Sequence, residues 1–289
     1  MDKYLDTFRE MLSLRGLTQH TFKSYSTYVC SYLNYLESVL HKQPEEISWQ
    51  EIRTYLSFLQ STRNLSDRTM NACISQLRFF TLYVLHQPWD PYQIPMRKFD
   101  SYLPFVPSRQ EVHTFVSSLP DLKEKAMVAL LYSSGLRAGE VRHLRYEDIQ
   151  RGNMRIHITR SKSRCDRYAI LSSNALDLLS DYWRAYGKPM GWLFPQVYAD
   201  HSKPIDHYYL PRHIELHEKR LGWEKRLSCH SFRHAFGTHL YENGTDLLTI
   251  KALLGHKSLH STTLYVQLAG GGLGRAISPF DVPEGLPHV

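Results

Sequence analysis

A proline-dense stretch between Gln87 and Ser108 divides this chain of 289 residues into two parts. Apolar residues recur at helical spacing before it, and helical patterns return after it together with strand-like alternation. The prolines break any regular pattern and favour a semi-rigid, extended connection. The chain is therefore predicted to form a helical domain over residues 1–95, a linker over 96–107, a larger domain over 108–269 and a tail over 270–289.

The first domain carries four helical patterns, and polar residues mark where two of them begin. Ser48 with Glu51 forms a capping box before the third pattern, and Ser66 or Asp67 can begin the fourth. The fourth pattern turns apolar residues to one side and carries two candidate DNA-binding residues on another, Arg68 and Arg78. Such a face suits contacts with DNA phosphates, and a merely solvated helix face has the same composition.

The second domain begins with another capping box, Ser108 with Glu111, and continues into an apolar stretch, 126–131, that is typical of a buried helix. Residues 154–159 then alternate between apolar and polar side chains, and residues 167–171 are predicted to form the returning strand. The predicted hairpin carries Lys162 at its tip, between two further candidate DNA-binding residues, Arg160 and Arg164. Charged edge strands look the same when they only prevent aggregation.

Helical patterns resume after the hairpin. Ser173 or Asn174 can cap the first of them, and residues 187–204 are predicted to be a loop because glycine, proline and aromatic residues crowd there. The predicted fold class is mainly α (α+β), with an N-terminal helical bundle and a larger helical domain that contains a small antiparallel β-hairpin.

Charge and composition narrow the function classes. Thirty-five Lys and Arg residues against 28 Asp and Glu give a formal charge of +7, which suits a polyanionic partner without identifying one. The four cysteines form no C-x-x-C pair, so neither a zinc knuckle nor a disulfide framework is indicated, and a reducing cytoplasm is the expected location. The longest apolar run is too short to span a bilayer, so no membrane partner is predicted.

The stretch 228–268 holds the candidate chemistry. His230 and Arg233 are three residues apart, so they share one face of a helix, and His256 and Tyr265 follow. A phenol among cations suits attack on a phosphodiester, because arginine and histidine donors can stabilise the negative charge of the transition state.

Zinc chemistry is an alternative for the histidines, since His230 and His234 have H-x-x-x-H spacing. Ser231 stands where a zincin has its glutamate, and no nearby carboxylate completes an obvious third ligand. The sequence also lacks a Walker A motif, a G-x-G-x-x-G motif and the G-x-S-x-G elbow of serine hydrolases. No metal or other cofactor is therefore predicted.

Six residues resemble, in order and spacing, the active-site set of the tyrosine recombinases, the phage-integrase family. The local matches are G-L-R-A-G-E, H-S-F-R-H-A-F-G-T-H-L, L-L-G-H-K-S and T-T-L-Y-V, with a basic hairpin in the right interval. The residues that carry the resemblance are Arg137, Lys162, His230, Arg233, His256 and Tyr265. The N-terminal helices look like the SAM-like core-binding domain of this family.

The resemblance implies that Tyr265 attacks the scissile phosphate, leaving a 3′-phosphotyrosyl bond and a free 5′-hydroxyl without ATP or a metal. His230 is then expected to be the general base for the phenol, and Lys162 to protonate the departing 5′ oxygen.

The resemblance also implies roles for the cations. Arg137 and Arg233 are expected to hold the non-bridging oxygens, because the fixed fork of arginine suits a phosphate. His256 is expected to assist them, and Glu140 to orient an active-site arginine.

The sequence departs from the family pattern in two places. Ser161 and Ser163 flank Lys162 where relatives often have glycines. After Tyr265, glycines and prolines oppose the long helix by which relatives dock onto the next protomer. Docking in trans as an extended arm is a hypothesis for the tail, and the sequence does not distinguish it from docking in cis.

The expected partners are a double-stranded DNA recombination site and further copies of the chain, as a homotetramer on two duplexes. The sequence identifies no accessory protein and does not distinguish integration, excision, transposition and dimer resolution. Two other functions stay open, a type IB topoisomerase-like nicking and closing activity and a non-catalytic role in DNA binding.

Overall fold

The structure, a computed structural model, describes residues 2–16, 19–100, 102–159, 166–197 and 200–269. The chain divides into two compact units, Met1–Tyr102 and Leu103–Val289. Helices dominate the architecture and the second unit adds a small antiparallel sheet, which confirms the predicted fold class. The linker limits, 96 and 107, stay a prediction. Within the described part of the chain, no helix is long and apolar enough to cross a membrane.

In the first unit the described α-helices are α1 (Asp2–Leu14), α2 (Gln19–Tyr35), α3 (Trp49–Arg63) and α4 (Asp67–Tyr83). The predicted start of α3 is confirmed, because Ser48 and Glu51 form a reciprocal capping box. Ser66 caps α4 by accepting a hydrogen bond from the Thr69 backbone N–H. The apolar faces of the four helices pack together and form one aromatic-rich core.

The polar face of α4 is partly used within its own unit. Asn71 pairs with the backbone of Arg97 in both directions, donating to its carbonyl at 2.9 Å and accepting from its N–H at 2.8 Å. The Arg97 guanidinium bonds Asp67 at 2.9 Å, so the first residues of the predicted linker are tied to α4. Arg68 and Arg78 remain exposed on this helix.

In the second unit the described α-helices are α5 (Arg109–Ser118), α6 (Leu122–Ser133), α7 (Ala138–Arg142), α8 (Ser173–Ala185), α9 (Tyr209–Arg220), α10 (Cys229–Glu242), α11 (Leu247–Leu254) and α12 (His260–Leu268). The strands are β1 (Ile149–Gln150), β2 (Arg155–Ile158), β3 (Arg167–Ile170), β4 (Pro195–Val197) and β5 (Asp200–Pro204). One sheet has the order β1-β2-β3, and β4 pairs with β5 in another.

Helix α6 lies at the centre of this unit. Its apolar residues are buried, as the sequence predicted, and it packs against α5, α8 and α10. Helix α10 in turn contacts α11 and α12, and α11 lies beside β3. This packing brings the ends of several elements to one place, where the candidate residues lie.

The predicted hairpin is confirmed in its strands, since β2 and β3 pair antiparallel with Ile158 opposite Arg167. Its tip lies outside the described residues, and so do three predicted residues, Arg160, Lys162 and Arg164. The predicted tail, 270–289, also lies outside them.

Two local predictions need correction. Ser172, rather than Ser173 or Asn174, caps α8, because its hydroxyl accepts the Ala175 N–H at 3.2 Å. Residues 187–204 were predicted to be a loop and contain β4 and β5. Prolines pair at the ends of these short strands, where a missing N–H costs little of the ladder, and so their presence did not rule out a sheet.

Candidate active site

The site begins at the turn between α6 and α7. Gly135 has a φ of +60° there, and a Cβ on it would lie 2.3 Å from the Phe236 ring, so the turn requires glycine. Arg137 follows as the N-cap of α7. Its backbone N–H donates to Glu140 Oε2 at 2.9 Å, and its Nη1 donates to Oε1 at 2.7 Å. Glu140 therefore holds the Arg137 guanidinium.

Arg167, at the start of β3, holds the same carboxylate from another element. Its Nη1 and Nη2 donate to the two oxygens of Glu140, each at 2.9 Å, and its side chain is 8% exposed. Burial by itself raises the pKa of Glu140, but the hydrogen bonds and charges of Arg167 and Arg137 outweigh it and hold that pKa below its usual value. Glu140 is thus a buried carboxylate that stays ionised.

Arg233 reaches this carboxylate from α10. Its Nη1 donates to the Gly135 carbonyl and lies 3.9 Å from Glu140 Oε2, and its Nη2 donates to the Leu254 carbonyl at 2.6 Å. The residue is 4% exposed. Burial, and then the Arg137 cation, lower the pKa of Arg233 to about 10, so the guanidinium is still charged at neutral pH.

We call Arg137, Arg167, Arg233 and Glu140 the arginine cluster. Three cations and one carboxylate leave a net charge of +2, and within the described residues these arginines pair with no other carboxylate. Excess charge of one sign is costly where water is scarce, unless a counter-charge binds. The cluster is therefore suited to an anion, and the Arg137 side chain, 23% exposed, gives access to it.

His256 lies next to the cluster, on the turn that follows α11. Gly255 ends that helix in the left-handed conformation, with φ at +63°. His256 Nδ1 pairs with the hydroxyl of the buried Thr262 at 3.0 Å. Burial, and then the Arg233 and Arg137 cations, lower the pKa of His256 to about 4, so the imidazole is neutral at neutral pH.

Tyr265 lies on α12 and is 1% exposed. Its ring is nearly parallel to that of His256, with 6.1 Å between centroids. Gly237 of α10 makes room for it, because a Cβ there would lie 2.5 Å from the Tyr265 ring. Burial raises the pKa of Tyr265 above 10.0, while the Arg233 and Arg137 charges lower it. We call Phe236, Gly237, His256, Thr262 and Tyr265 the tyrosine pocket.

Two further histidines lie one helical turn apart on α10. His230 is exposed and His234 is half-buried, with 6.4 Å between their ring centroids. The His234 ring also lies 6.2 Å from that of Tyr265. Burial, and then His230, lower the pKa of His234 to about 4. His234 Nδ1 is buried and finds no hydrogen-bond partner among the described residues.

The second unit thus brings together most of the residues singled out from sequence: Arg137, Glu140, His230, Arg233, His256 and Tyr265. Sequence reasoning missed three that support them, Arg167, Gly237 and Thr262. Arg167 had been predicted only as part of the returning strand of the hairpin, residues 167–171. The alternation of β3 could have indicated its inward direction, since Arg167 shares a face with the buried Ala169.

Known protein families match the sequences of both units. The sequence profile of the Phage integrase family matches residues 109–270, which is more than half of the chain. The chain belongs to the phage integrase family of tyrosine recombinases. A profile described as the N-terminal SAM-like domain of phage integrases matches residues 4–91, so both units of the chain have counterparts in the family.

Curated relatives match this chain over nearly its whole length. A Sinorhizobium fredii protein named as an integrase/recombinase is 33% identical over 94% of this chain and 87% of its own. The tyrosine recombinase XerD of Shewanella oneidensis is 30% identical over 93% of each chain.

Solved structures share its fold. XerA recombinase aligns with a TM-score of 0.51 and 25% identity over 91% of this chain and 92% of its own. XerH recombinase, in a post-cleavage complex with a palindromic difH substrate, aligns with a TM-score of 0.72 and 19% identity over 93% of this chain and 82% of its own.

Proposed function

We propose that this protein is a site-specific recombinase that cleaves and rejoins DNA through a 3′-phosphotyrosyl intermediate. The observation that carries the proposal is the arginine cluster, with its net charge of +2, beside the tyrosine pocket. A phosphodiester gathers negative charge in its pentavalent transition state, and guanidinium donors already fixed in place stabilise that charge. A buried tyrosine beside such donors supplies the nucleophile.

In the proposed cleavage step the Tyr265 oxygen bonds to phosphorus, and the bond between phosphorus and the 5′ oxygen breaks. The phenol proton passes to His230, the proposed general base, and Lys162 protonates the departing 5′ oxygen. The products are a phosphotyrosine and a free 5′-hydroxyl, and attack by a 5′-hydroxyl in the reverse sense rejoins a strand. Because the covalent bond conserves the energy of the phosphodiester, the proposed reaction needs neither ATP nor a metal ion.

Arg137 and Arg233 are the proposed ligands of the non-bridging oxygens, with His256 beside them. Arg137 is the more accessible of the two and can meet the phosphate first. Tyr265 has to become accessible before it can attack, because only 1% of it is exposed. In the proposed mechanism, DNA binding therefore precedes a shift of α12 or of the residues that cover the phenol.

The proposed substrate is a duplex recombination site, and the proposed active assembly is a homotetramer on two duplexes. Two structural neighbours support a DNA substrate, XerH bound to difH and λ integrase bound to a core site. The N-terminal helices, residues 1–95, are the proposed core-binding domain, and residues 108–269 the catalytic domain. The proposed phosphate contacts are Arg68, Arg78, Arg160 and Arg164, and their affinity should fall as salt rises.

A nicked suicide duplex tests the proposal directly. Duplexes that tile the DNA flanking the gene are incubated with the protein, and the short fragment beyond the nick diffuses away once the strand is cleaved. We expect a protein–DNA adduct that survives SDS and is absent with Tyr265→Phe. If wild-type protein yields no adduct with any duplex, or Tyr265→Phe still yields one, the proposal is wrong.

A second, intact duplex separates recombination from simple nicking and closing. We expect strands to be exchanged between the two duplexes once the cleavage position is known. Relaxation of supercoiled DNA without any exchange would support the topoisomerase-like alternative instead.

A further inference from the structure

Arg167 joins three elements of the second unit and has no role in the proposed reaction so far. It opens β3, where it faces inward with Ala169 while Tyr168 and Ile170 are exposed. Its stem passes beneath the turn that ends α11, because a Cβ on Gly255 would lie 2.8 Å from Arg167 Cδ. A nearly buried arginine needs a counter-charge and hydrogen-bond acceptors within the protein.

The guanidinium makes three directed hydrogen bonds. Two run to the two oxygens of Glu140, each at 2.9 Å, and the third runs from Nε to the Leu253 carbonyl at 3.0 Å. The guanidinium is planar, so a bidentate pair also sets the plane of the carboxylate. Arg167 therefore fixes both the position and the orientation of Glu140 relative to the end of α11.

These contacts lead to each proposed phosphate ligand. Glu140 holds Arg137 through a 2.7 Å bond and lies 3.9 Å from Arg233. At the end of α11, the Leu254 carbonyl accepts a hydrogen bond from Arg233, and His256 follows the Gly255 cap. A shift of Arg167 would therefore move the anion-binding groups relative to one another without removing any of them.

We propose that Arg167 is a positioning residue of the cleavage site. It fixes the position of Glu140 relative to the end of α11, so that Arg137, Arg233 and His256 can contact the same phosphate. The inference rests on the proposed function, because it concerns how the same site binds the scissile phosphate. A lysine can supply the charge of Arg167 but not its planar fork, so the charge and the geometry can be separated.

The test compares Arg167→Lys with wild-type protein in single-turnover adduct formation. Two suicide duplexes are used, one with the natural phosphodiester at the mapped cleavage position and one with a methylphosphonate there. The methylphosphonate lacks the charge of one non-bridging oxygen, so cleavage of it depends less on well-placed arginines. Misplacing reacting groups by about 1 Å costs about 10²-fold, and we expect a loss of that order on the phosphodiester. On the methylphosphonate we expect a clearly smaller loss.

Arg155→Lys is the matched control. Arg155 lies on the neighbouring strand β2, where its guanidinium covers the Tyr168 ring and bonds Gln150. It takes no part in the arginine cluster, and we expect wild-type cleavage of both duplexes. Thermal unfolding and DNA binding are measured for each variant, so that a loss of folded protein is not read as a loss of positioning.

Two results would overturn the inference. One is phosphodiester cleavage by folded Arg167→Lys within about threefold of wild type, and the other is an equal loss on both duplexes. If Arg167→Lys does not fold, Glu140→Asp is tested instead, because it keeps the negative charge and moves the carboxylate away from the Arg167 guanidinium. We again expect a large loss of cleavage on the phosphodiester and a smaller loss on the methylphosphonate. Failure of the proposed function looks different, since wild-type protein then forms no adduct at all.

Discussion

The arginine cluster and the tyrosine pocket are neighbours in one unit, yet they are held together by different forces. Directed hydrogen bonds define the cluster, with Glu140 bound by Arg137 and Arg167 and with Arg233 bound to backbone carbonyls. In the tyrosine pocket a hydrogen bond joins His256 to Thr262, but Tyr265 itself is held by packing. Tyr265 is buried against Gly237 and His256, and no described residue hydrogen-bonds its hydroxyl.

This difference indicates how the two parts of the site are held before a substrate binds. Cations bound by directed contacts are already oriented when a phosphate arrives, so no reorganisation is needed at the moment of reaction. A phenol that is neutral and covered is shielded from unwanted reactions, and no hydrogen bond from a described residue has to break before it moves. Changes in the cluster should therefore alter both stability and cleavage, whereas changes in the pocket should separate them.

The largest expected effect comes from Tyr265→Phe. Removing the hydroxyl deletes the proposed nucleophile, so adduct formation should fall by about 10⁴-fold or more. Because the ring stays buried and no described residue hydrogen-bonds the hydroxyl, the free energy of unfolding should change by less than about 1 kcal/mol. Urea unfolding and the suicide-duplex assay measure the two quantities, and a large loss of stability would show that more than packing holds Tyr265.

Glu140→Gln should change both quantities. The substitution removes the only negative charge of the arginine cluster, and breaking a buried pair destabilises by about 3 to 5 kcal/mol. Misoriented arginines should also slow cleavage by about 10²-fold. The matched control is Glu147→Gln, whose carboxylate is 71% exposed and should contribute less than about 1 kcal/mol. Equal unfolding curves for the two variants would show that Glu140 does not hold the cluster.

Gly237→Ala should act through volume alone. Its new methyl group would lie 2.5 Å from the Tyr265 ring, so the ring or α12 has to shift, at a cost of about 1 to 3 kcal/mol. Gly139→Ala is the control, since a Cβ at that helical position meets nothing within 4 Å and should stabilise slightly. Thermal unfolding compares them. Similar melting temperatures would mean that Gly237 is not needed for packing the tyrosine.

The smallest expected effect is the dependence of stability on pH that His256 of the tyrosine pocket contributes. Burial lowers the pKa of His256 to about 4, so the folded state binds fewer protons than the unfolded chain between about pH 6.5 and 4. Stability should therefore fall as pH falls through that window and level off below it. His256→Gln should flatten the fall measured in urea. Burial also lowers the pKa of His234 to about 4 and lowers the pKa of His217 and His239, so much of the slope should remain.

Local features of the fold could be predicted where neighbouring residues decide them. The capping boxes at Ser48 and Ser108 lie where the sequence indicated, because a cap needs only a hydroxyl and a carboxylate three residues apart. The paired strands β4 and β5 were missed, because the glycines, prolines and aromatic residues of this segment suggest a loop, although β4 and β5 pair with each other within it. The cap of α8 was misplaced, since Ser172, Ser173 and Asn174 stand in a row and each fits the same pattern.

The sequence by itself determined which groups are present and how they are spaced along the chain. Arg137 and Glu140 are three residues apart, and so are His230 and Arg233, and one turn of helix is enough to bring each pair onto one face. Only the tertiary structure decided that Arg167 bonds Glu140 and that Gly237 makes room for Tyr265. Those contacts join segments that are distant in sequence. Their geometry follows from how β3, α10, α11 and α12 pack, which no local pattern specifies.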